Sequence, residues 1–432
     1  MCLREVLRSA AAPWGRVGSA VVASDTPFPK ALWCRQNWEG IEPMKRYCLI
    51  VVLMLMAMPA WGEKKITVQQ LKEMLVKMHQ DKKTDEEVAT ALKGVELSEQ
   101  LTRATMNSLM DYVPEKSATE QIYVLELKSA TLPPPADDLP TAAAPDAATQ
   151  KAMLDKAEEY AAKTYGALPQ LTATRTMLRF QDHVEPAPAA SGLQNGAVDG
   201  RPNPNQMGPS QIAHYISSTD AQVEFVNGAE KNPLPQDKGP WGANRMIALL
   251  GPAPALSTVF EEAQKAGKIR FLRWELVNGH QAAVFAFNVD KKNTHYLVND
   301  CCFPDVETTT NAYHSSATMA SGGLTSANMQ TTVDWKFYRA TVPYHGEIFI
   351  SSETGIVVRL ITQADFKSSD LVRQDDERID YGPAQVGDKT VVVPLRTVIN
   401  AEDIPSGDAG AGNFDLRHTM FSVEYKDFHA GS

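Results

Sequence analysis

The residues of this sequence best suited to chemistry are two adjacent cysteines, Cys301 and Cys302. They lack the Cys-x-x-Cys spacing of zinc and thioredoxin-like sites, and two thiolates supply only half of a tetrahedral metal site. Their Cα atoms lie ~3.8 Å apart, below the ~4.4 Å at which disulfides usually begin. The pair could therefore form a strained vicinal disulfide, act as a redox switch or soft metal site, remain as two structural thiols, or link two chains.

Histidines and an acidic run are the other candidates, and no pattern joins them. A catalytic or metal role would require histidines from separate predicted elements to converge in space. His345, at the start of a predicted hairpin, is the one of greatest interest. Asp375-Asp376-Glu377 could contact a cation, but the run is expected to be solvated, before a strand at Arg378. The histidines are His280, His295, His314, His345, His418 and His429.

The common catalytic signatures are missing from the sequence. It contains no Gly-x-Ser-x-Gly elbow, no His-Glu-x-x-His zinc helix and no Gly-x-x-x-x-Gly-Lys-Ser/Thr phosphate loop. We therefore assign no catalytic residue, metal ligand or cofactor; a non-catalytic protein is favoured, but whether the protein is an enzyme stays open.

A secretory signal peptide is predicted at residues 44–62. Lys45 and Arg46 form its basic start, Leu49 to Met58 its apolar run, and Ala60-Trp61-Gly62 its small-residue end. Cleavage would fall between Gly62 and Glu63. The apolar run is about half of the ~20 residues that a permanent membrane helix needs, so we expect no integral membrane span after cleavage.

Residues 1–43 precede this signal, which is unusual because a signal peptide normally starts a chain. We interpret them as an over-extended gene start without ordered structure, with Met44 as the true start. Cleavage would leave Cys301 and Cys302 as the only cysteines of the five in the sequence. The formal net charge of −10 argues against non-specific nucleic-acid binding. These features predict a periplasmic or secreted protein.

Residues 63–131 have the pattern of a small helical region. Thr67 with Gln70 and Thr84 with Glu87 are capping-box pairs, and Ser98 followed by Glu99 is a third possible helix start. Residues 132–150 are rich in proline and alanine, which favours an extended linker.

Residues 151–432 are expected to form an α+β domain dominated by antiparallel strands, with loops at 183–209 and 306–331. Ser352-Glu353-Thr354-Gly355 and Gly387-Asp388-Lys389 each separate two β-rich runs, and Asn278-Gly279 is the strongest two-residue hairpin turn. Two strands are predicted at 212–216 and 222–226, and alternation in 420–428 predicts one buried and one wet face. The predicted fold is a helical region followed by a curved sheet or half-barrel with covering helices.

Several stretches resemble a group of uncharacterised exported bacterial proteins. They are Tyr344-His345-Gly346, the Ser-Glu-Thr-Gly turn with the following Ile-Val-Val-Arg-Leu, Ile-Asp-Tyr-Gly-Pro and Val-Val-Val-Pro-Leu-Arg. This resemblance implies no catalytic residues. The region after Ile269 is also similar, more remotely, to outer-membrane lipoprotein carrier domains. That resemblance implies an antiparallel half-barrel closed by helices around an apolar cavity.

Three functions are compatible with these patterns. The first is a non-catalytic exported module or carrier that binds an apolar ligand, a lipid or an envelope protein partner. The second is an exported hydrolase with scattered catalytic residues. The third is a structural or interaction protein whose helices dock to a partner.

Overall fold

The computed structural model describes residues 64–114, 116–165, 170–182, 212–226, 229–231, 256–304, 310–315, 327–332, 335–404 and 416–431. The predicted signal peptide, with Gly62 and Glu63, and the loop 183–209 lie outside the described residues. The α-helices are α1 (Val68–Gln80), α2 (Asp85–Lys93), α3 (Arg103–Leu109), α4 (Ser117–Lys128), α5 (Ala147–Glu159) and α6 (Leu256–Ala266). The fold is α+β, as predicted.

The strands run in chain order from the helical region to the end of the chain. They are β1 (Lys64–Ile66), β2 (Val95–Leu97), β3 (Leu171–Gln181), β4 (His214–Val226), β5 (Ala229–Lys231), β6 (Arg270–Val277), β7 (His280–Val289), β8 (Leu297–Pro304), β9 (Thr310–Ser315), β10 (Ala327–Thr332), β11 (Trp335–Thr341), β12 (Tyr344–Ser351), β13 (Val357–Ala364), β14 (Val372–Val386), β15 (Lys389–Asp403) and β16 (Arg417–Ala430). Strand β9 and all of β10 except Thr332 lie inside the predicted loop 306–331.

The helical region is fixed by its helix starts. The Thr67 and Thr84 hydroxyls accept bonds from the backbone N–H groups of Gln70 and Glu87, and both predicted capping boxes form. The predicted start at Ser98 was wrong, because α3 begins after Thr102. The Ser98 hydroxyl instead donates to the carbonyl of Ile66, beside the short parallel pair of β1 and β2.

One ten-stranded sheet holds most of the remaining chain. Its strand order is β5-β4-β3-β16-β15-β14-β13-β12-β7-β6, every neighbouring pair is antiparallel, and the sheet is not closed. Within the described residues, β6 and β5 are therefore its edge strands. The order is sequential from β12 to β16, and the sheet is joined across a large sequence distance where β16 pairs with β3.

The two sides of this sheet carry different chemistry. Residues directly opposite one another on paired strands project to the same side. One such row runs through Arg273, Val284, Phe349, Arg359, Asp380, Arg396 and Glu424, and we call its side the charged face. The neighbouring row runs through Phe285, Ile348, Leu360, Ile379, Thr397, Val423 and Met177, and we call its side the apolar face.

Helices cover both faces. Helix α4 lies on the charged face, where Val124 and Leu127 pack with Val398 and Met420. Helix α6 lies on the apolar face, where Phe260 and other buried residues pack against the sheet. Helix α5 contributes to this second core through Met153, Leu154 and Ala157.

The linker between α4 and α5 is a packed segment. It forms a short 3-10 turn at Ala136–Asp138, and the carbonyl of Ala143 accepts a 2.8 Å bond from the Trp274 indole on β6. Because α4 and α5 lie on opposite faces of the sheet, the linker passes around the edge at β6. It thereby covers part of an edge that could otherwise pair with another strand.

The predicted turns are confirmed. Asn278 and Gly279 both have positive φ, +51° and +82°, between β6 and β7. Gly355 (φ +74°) and Gly387 (φ +57°) close the β12–β13 and β14–β15 hairpins. Pro394 lies at a register shift between β14 and β15, a position at which a strand tolerates proline.

Several strand predictions needed correction. The two strands predicted at 212–216 and 222–226 are one strand, β4. Strand β14 begins at Val372, so the supposedly solvated Asp375, Asp376 and Glu377 are buried within it. In β16, Phe421, Ser422 and Val423 are all buried, because both faces of this central strand are covered. No described helix is long and apolar enough to cross a membrane.

Candidate functional site

The cysteine pair, His345 and the acidic run lie on three different strands, β8, β12 and β14. Cys301 and Cys302 lie in β8, where the register with β11 shifts between Lys336 and Tyr338. This shift sets the two cysteines opposite one residue, Phe337, as in a β-bulge. The vicinal disulfide stays a prediction. Among the described residues, no three His, Cys, Asp or Glu side chains are grouped to hold a metal ion.

One residue of the acidic run, Asp375, has a buried carboxyl group with a raised pKa. Asp375 is 1 % exposed, and its Oδ2 accepts a 3.0 Å hydrogen bond from the Tyr296 hydroxyl. Burial raises the pKa of Asp375 to about 7, and the neighbouring Asp376 carboxylate adds to this while the Tyr296 bond opposes it. This burial could not be predicted from the sequence, because three acidic residues in a row are normally solvated.

Asp375 is expected to make stability depend on pH. Its folded pKa of about 7 lies above the ordinary 3.8, so the folded state binds the proton more tightly than the unfolded state. The stabilisation is complete below about pH 4 and is lost as the pH rises through about 7. Relative to Asp375→Asn, the wild type should lose up to about 1.4 kcal/mol per pH unit across this window.

Urea unfolding of both proteins between about pH 4 and 8 measures this difference. Asparagine keeps the oxygen that accepts the Tyr296 hydroxyl, so the variant isolates the ionisable group. Parallel stability curves for the two proteins would contradict the assignment.

A second buried carboxylate, Glu262 of α6, ties three elements together. It is 2 % exposed, its Oε2 accepts a 2.8 Å bond from the Tyr344 hydroxyl, and its Oε1 accepts a 2.8 Å bond from the His295 backbone N–H. His295 Nδ1 also lies 2.6 Å from Oε1. Burial and the bond to Glu262 raise the pKa of the Tyr344 hydroxyl well above its ordinary value. Every oxygen of this carboxylate is engaged, which is typical of a structural clamp.

The charged face holds an ion-pair network. Arg273 donates two 2.8 Å bonds to the carboxylate of Glu347, and Arg396 donates bonds of 2.6 and 2.7 Å to that of Glu126 on α4. Asp380 accepts from Arg359 at 2.6 Å and from Arg378 at 2.9 Å. The network as a whole comprises Arg103, Arg273, Arg359, Arg378 and Arg396 with Glu126, Glu275, Glu347, Asp380 and Glu424.

This network contains five arginines and five carboxylates, and Lys426 adds a further cation beside Glu424 at its exposed end. Burial works to raise the pKa of Asp380, but the Arg378 and Arg359 guanidiniums outweigh it and hold that pKa well below its ordinary value. Asp380 therefore stays ionised and paired across the physiological range. Within the network, the buried Glu126–Arg396 pair joins α4 to the sheet.

An open groove at the β6 end of the sheet is the best candidate for a binding site. Its volume is about 620 Å³, within the usual ~300–1,000 Å³ of ligand pockets. The turn after α6 and the strands β6, β7, β12 and β13 form its walls. The lining residues are Gly267, Lys268, Ile269, Arg270, Leu272, Ala286, Phe287, Asn288, His345, Gly346, Glu347 and Gln363.

Most ionic groups at this groove already have partners. Lys268 Nζ lies 2.8 Å from Asp290 Oδ1, and Glu347 is held by Arg273. His345 Nδ1 lies 2.9 Å from Asp365 Oδ1. The guanidinium of Arg270 differs, because it is exposed and has no hydrogen bond or ion pair within the described part of the chain.

The sequence pointed to His345 but missed the rest of this groove. Arg270 and Leu272 lie in a strand that was predicted, yet nothing in their spacing shows that β6 is an edge strand. Comparisons with protein-family models, curated proteins and solved structures give no match.

Proposed function

We propose that this protein is a non-catalytic, exported binding module whose ligand or envelope protein partner occupies the β6 groove. The observation that carries the proposal is that the titratable groups with strongly raised pKa values lie outside the groove lining. Burial is the main cause of the strongly raised pKa values of Asp375, Tyr296, Tyr344, Tyr381 and Tyr425, and none of these residues lines the groove. Catalytic groups with shifted pKa values normally line the cleft that binds substrate.

The sequence predicts an apolar or lipid ligand inside a half-barrel. The curvature of the sheet into a half-barrel stays part of the proposal. Where the apolar face is described, helix α6 and the ring of Tyr296 pack directly against it. A ligand inside would have to displace these side chains. The groove is already open, and therefore offers the easier place for a ligand or for a protein partner.

Native mass spectrometry of the full chain, purified from a bacterial periplasm, tests this proposal. We expect a retained small molecule or protein, and we expect Ala286→Trp to abolish retention because the indole would fill the groove. Ala104→Trp, at an exposed position of α3, serves as the matched control. An empty wild-type protein, or equal retention by Ala286→Trp, would refute a binding function for the groove.

A hydrolase is the second candidate, and the His345–Asp365 pair favours it. A carboxylate that fixes one imidazole nitrogen leaves the other able to act as a general base. Nitrophenyl esters and bis-nitrophenyl phosphate are suitable probes. Hydrolysis that both His345→Ala and Asp365→Asn abolish would support this candidate, whereas no hydrolysis, or hydrolysis unaffected by these changes, would exclude it for these substrates.

Export is tested separately by N-terminal sequencing of the protein from its own host. Cleavage by signal peptidase should give a chain that starts at Glu63. A mature start upstream of Met44 would overturn both the reassigned start and the predicted signal peptide.

A further inference from the structure

Arg270 is the one basic side chain of the groove lining that no carboxylate neutralises within the described residues. Lys268 pairs with Asp290, and Arg273, just beyond the lining, holds Glu347 with both of its terminal nitrogens. The Arg270 guanidinium can therefore offer its donors to a ligand without breaking an existing pair. The protein as a whole is acidic, with a formal net charge of −10, so an unpaired cation in a concavity is a local exception.

Apolar surface lies directly beside this cation. Leu272, two residues along the same strand, is one of the few large apolar side chains left exposed, at 37 %. Ile269, Ala286 and Phe287 also line the groove. An isolated exposed leucine needs no explanation, but one that shares a concavity with an unpaired guanidinium provides two different kinds of contact.

These two contacts define a class of ligand. A guanidinium presents parallel N–H groups that match the two oxygens of a carboxylate or phosphate. Apolar groove walls favour a hydrocarbon portion on the same molecule. An inorganic anion would leave Leu272 exposed, and a neutral apolar molecule would leave Arg270 without a counterion.

We propose that the groove binds a small organic anion, with Arg270 clamping its carboxylate or phosphate and Leu272 contacting its apolar part. This inference rests on the proposed binding function and narrows it to one chemical class. The two possible sources of the anionic group, a carboxylic acid and a phosphate monoester, share this recognition.

Ligand-observed NMR titrations against the full chain test the proposal. The compounds are hexanoate, hexyl phosphate, hexanol, acetate and inorganic phosphate. We expect hexanoate or hexyl phosphate to bind at least about tenfold more tightly than hexanol, acetate or phosphate. The better of the two identifies the source of the anionic group. Tighter or equal binding of hexanol would overturn the anionic clamp, and tighter or equal binding of acetate or phosphate would overturn the apolar contact.

Variants of the clamp give the second readout. Arg270→Gln should weaken binding of the organic anion about tenfold or more. Arg270→Lys should have an affinity between those of the wild type and Arg270→Gln, because lysine keeps the charge but loses the paired donors. Arg339→Gln, at another exposed arginine, should leave binding unchanged. Absence of binding by both anions overturns this inference, while a native ligand that is retained in the wild type and lost in Ala286→Trp would still support the broader function.

Discussion

Replacing Glu126 with leucine is expected to lower the free energy of unfolding by about 3–5 kcal/mol. Glu126 is 1 % exposed, and both of its oxygens accept bonds from the buried Arg396. Without the carboxylate, the guanidinium would remain buried beneath α4 without its direct ion-pair partner, and only the more distant Asp380 and Glu424 carboxylates would act on it. Urea unfolding monitored by circular dichroism measures the change.

The double variant Glu126→Leu with Arg396→Leu separates an unpaired charge from lost packing. If the unpaired charge causes the loss, removing both partners should restore most of the stability. Asp155→Asn is the control, because its pair with Lys151 is a solvent-exposed i, i+4 contact on α5 and its loss should leave the melting temperature unchanged. A single variant as stable as the wild type would show that the pair does not hold α4 to the sheet.

Substituting alanine for Gly346 is expected to destabilise the protein by about 3 kcal/mol or more. A Cβ atom at this position would overlap the carbonyl oxygen of Ile361 and lie 2.9 Å from Cζ of the Phe287 ring. Because a backbone carbonyl in a paired strand cannot rotate away, β12 and β13 would have to separate locally. Thermal unfolding followed by calorimetry gives the size of the effect.

Gly94→Ala provides the matched comparison. It lies at the end of α2 with φ −90°, and the nearest atom to a Cβ there is a carbonyl oxygen at 4.0 Å. This variant should unfold at the wild-type temperature. If Gly346→Ala does the same, the close approach of β12 and β13 at this glycine is not required by the fold.

The local elements could largely be predicted, since each depends on residues adjacent in sequence. The Thr67 and Thr84 capping boxes and the turns at Asn278-Gly279, Gly355 and Gly387 all follow from local backbone chemistry. The strand lengths could not, because they depend on partners. The run Asp375-Asp376-Glu377 was predicted to be solvated. It is buried because its strand, β14, lies between β13 and β15.

The candidate site depends even more on distant residues. His345 and Asp365 lie at opposite ends of a whole hairpin in the sequence. Arg270 lines the groove because its strand, β6, is an edge strand beside β7. Similarly, Glu126 and Arg396 are 270 positions apart. The pattern of apolar residues shows which face of a helix or strand is apolar. It does not show which charged side chains will face each other in the fold.

The pairing of β16 with β3 has a kinetic consequence. Within the described residues, strands β3, β4 and β5 join the rest of the sheet only through β16, whose residue Ala430 pairs with Leu171. A ribosome must therefore complete Arg417–Ala430 before the first sheet strands can acquire their main partner. Contacts of such high sequence separation slow folding. We expect refolding to be slow, and β3, β4 and β5 to remain accessible to chaperones until β16 has been synthesised.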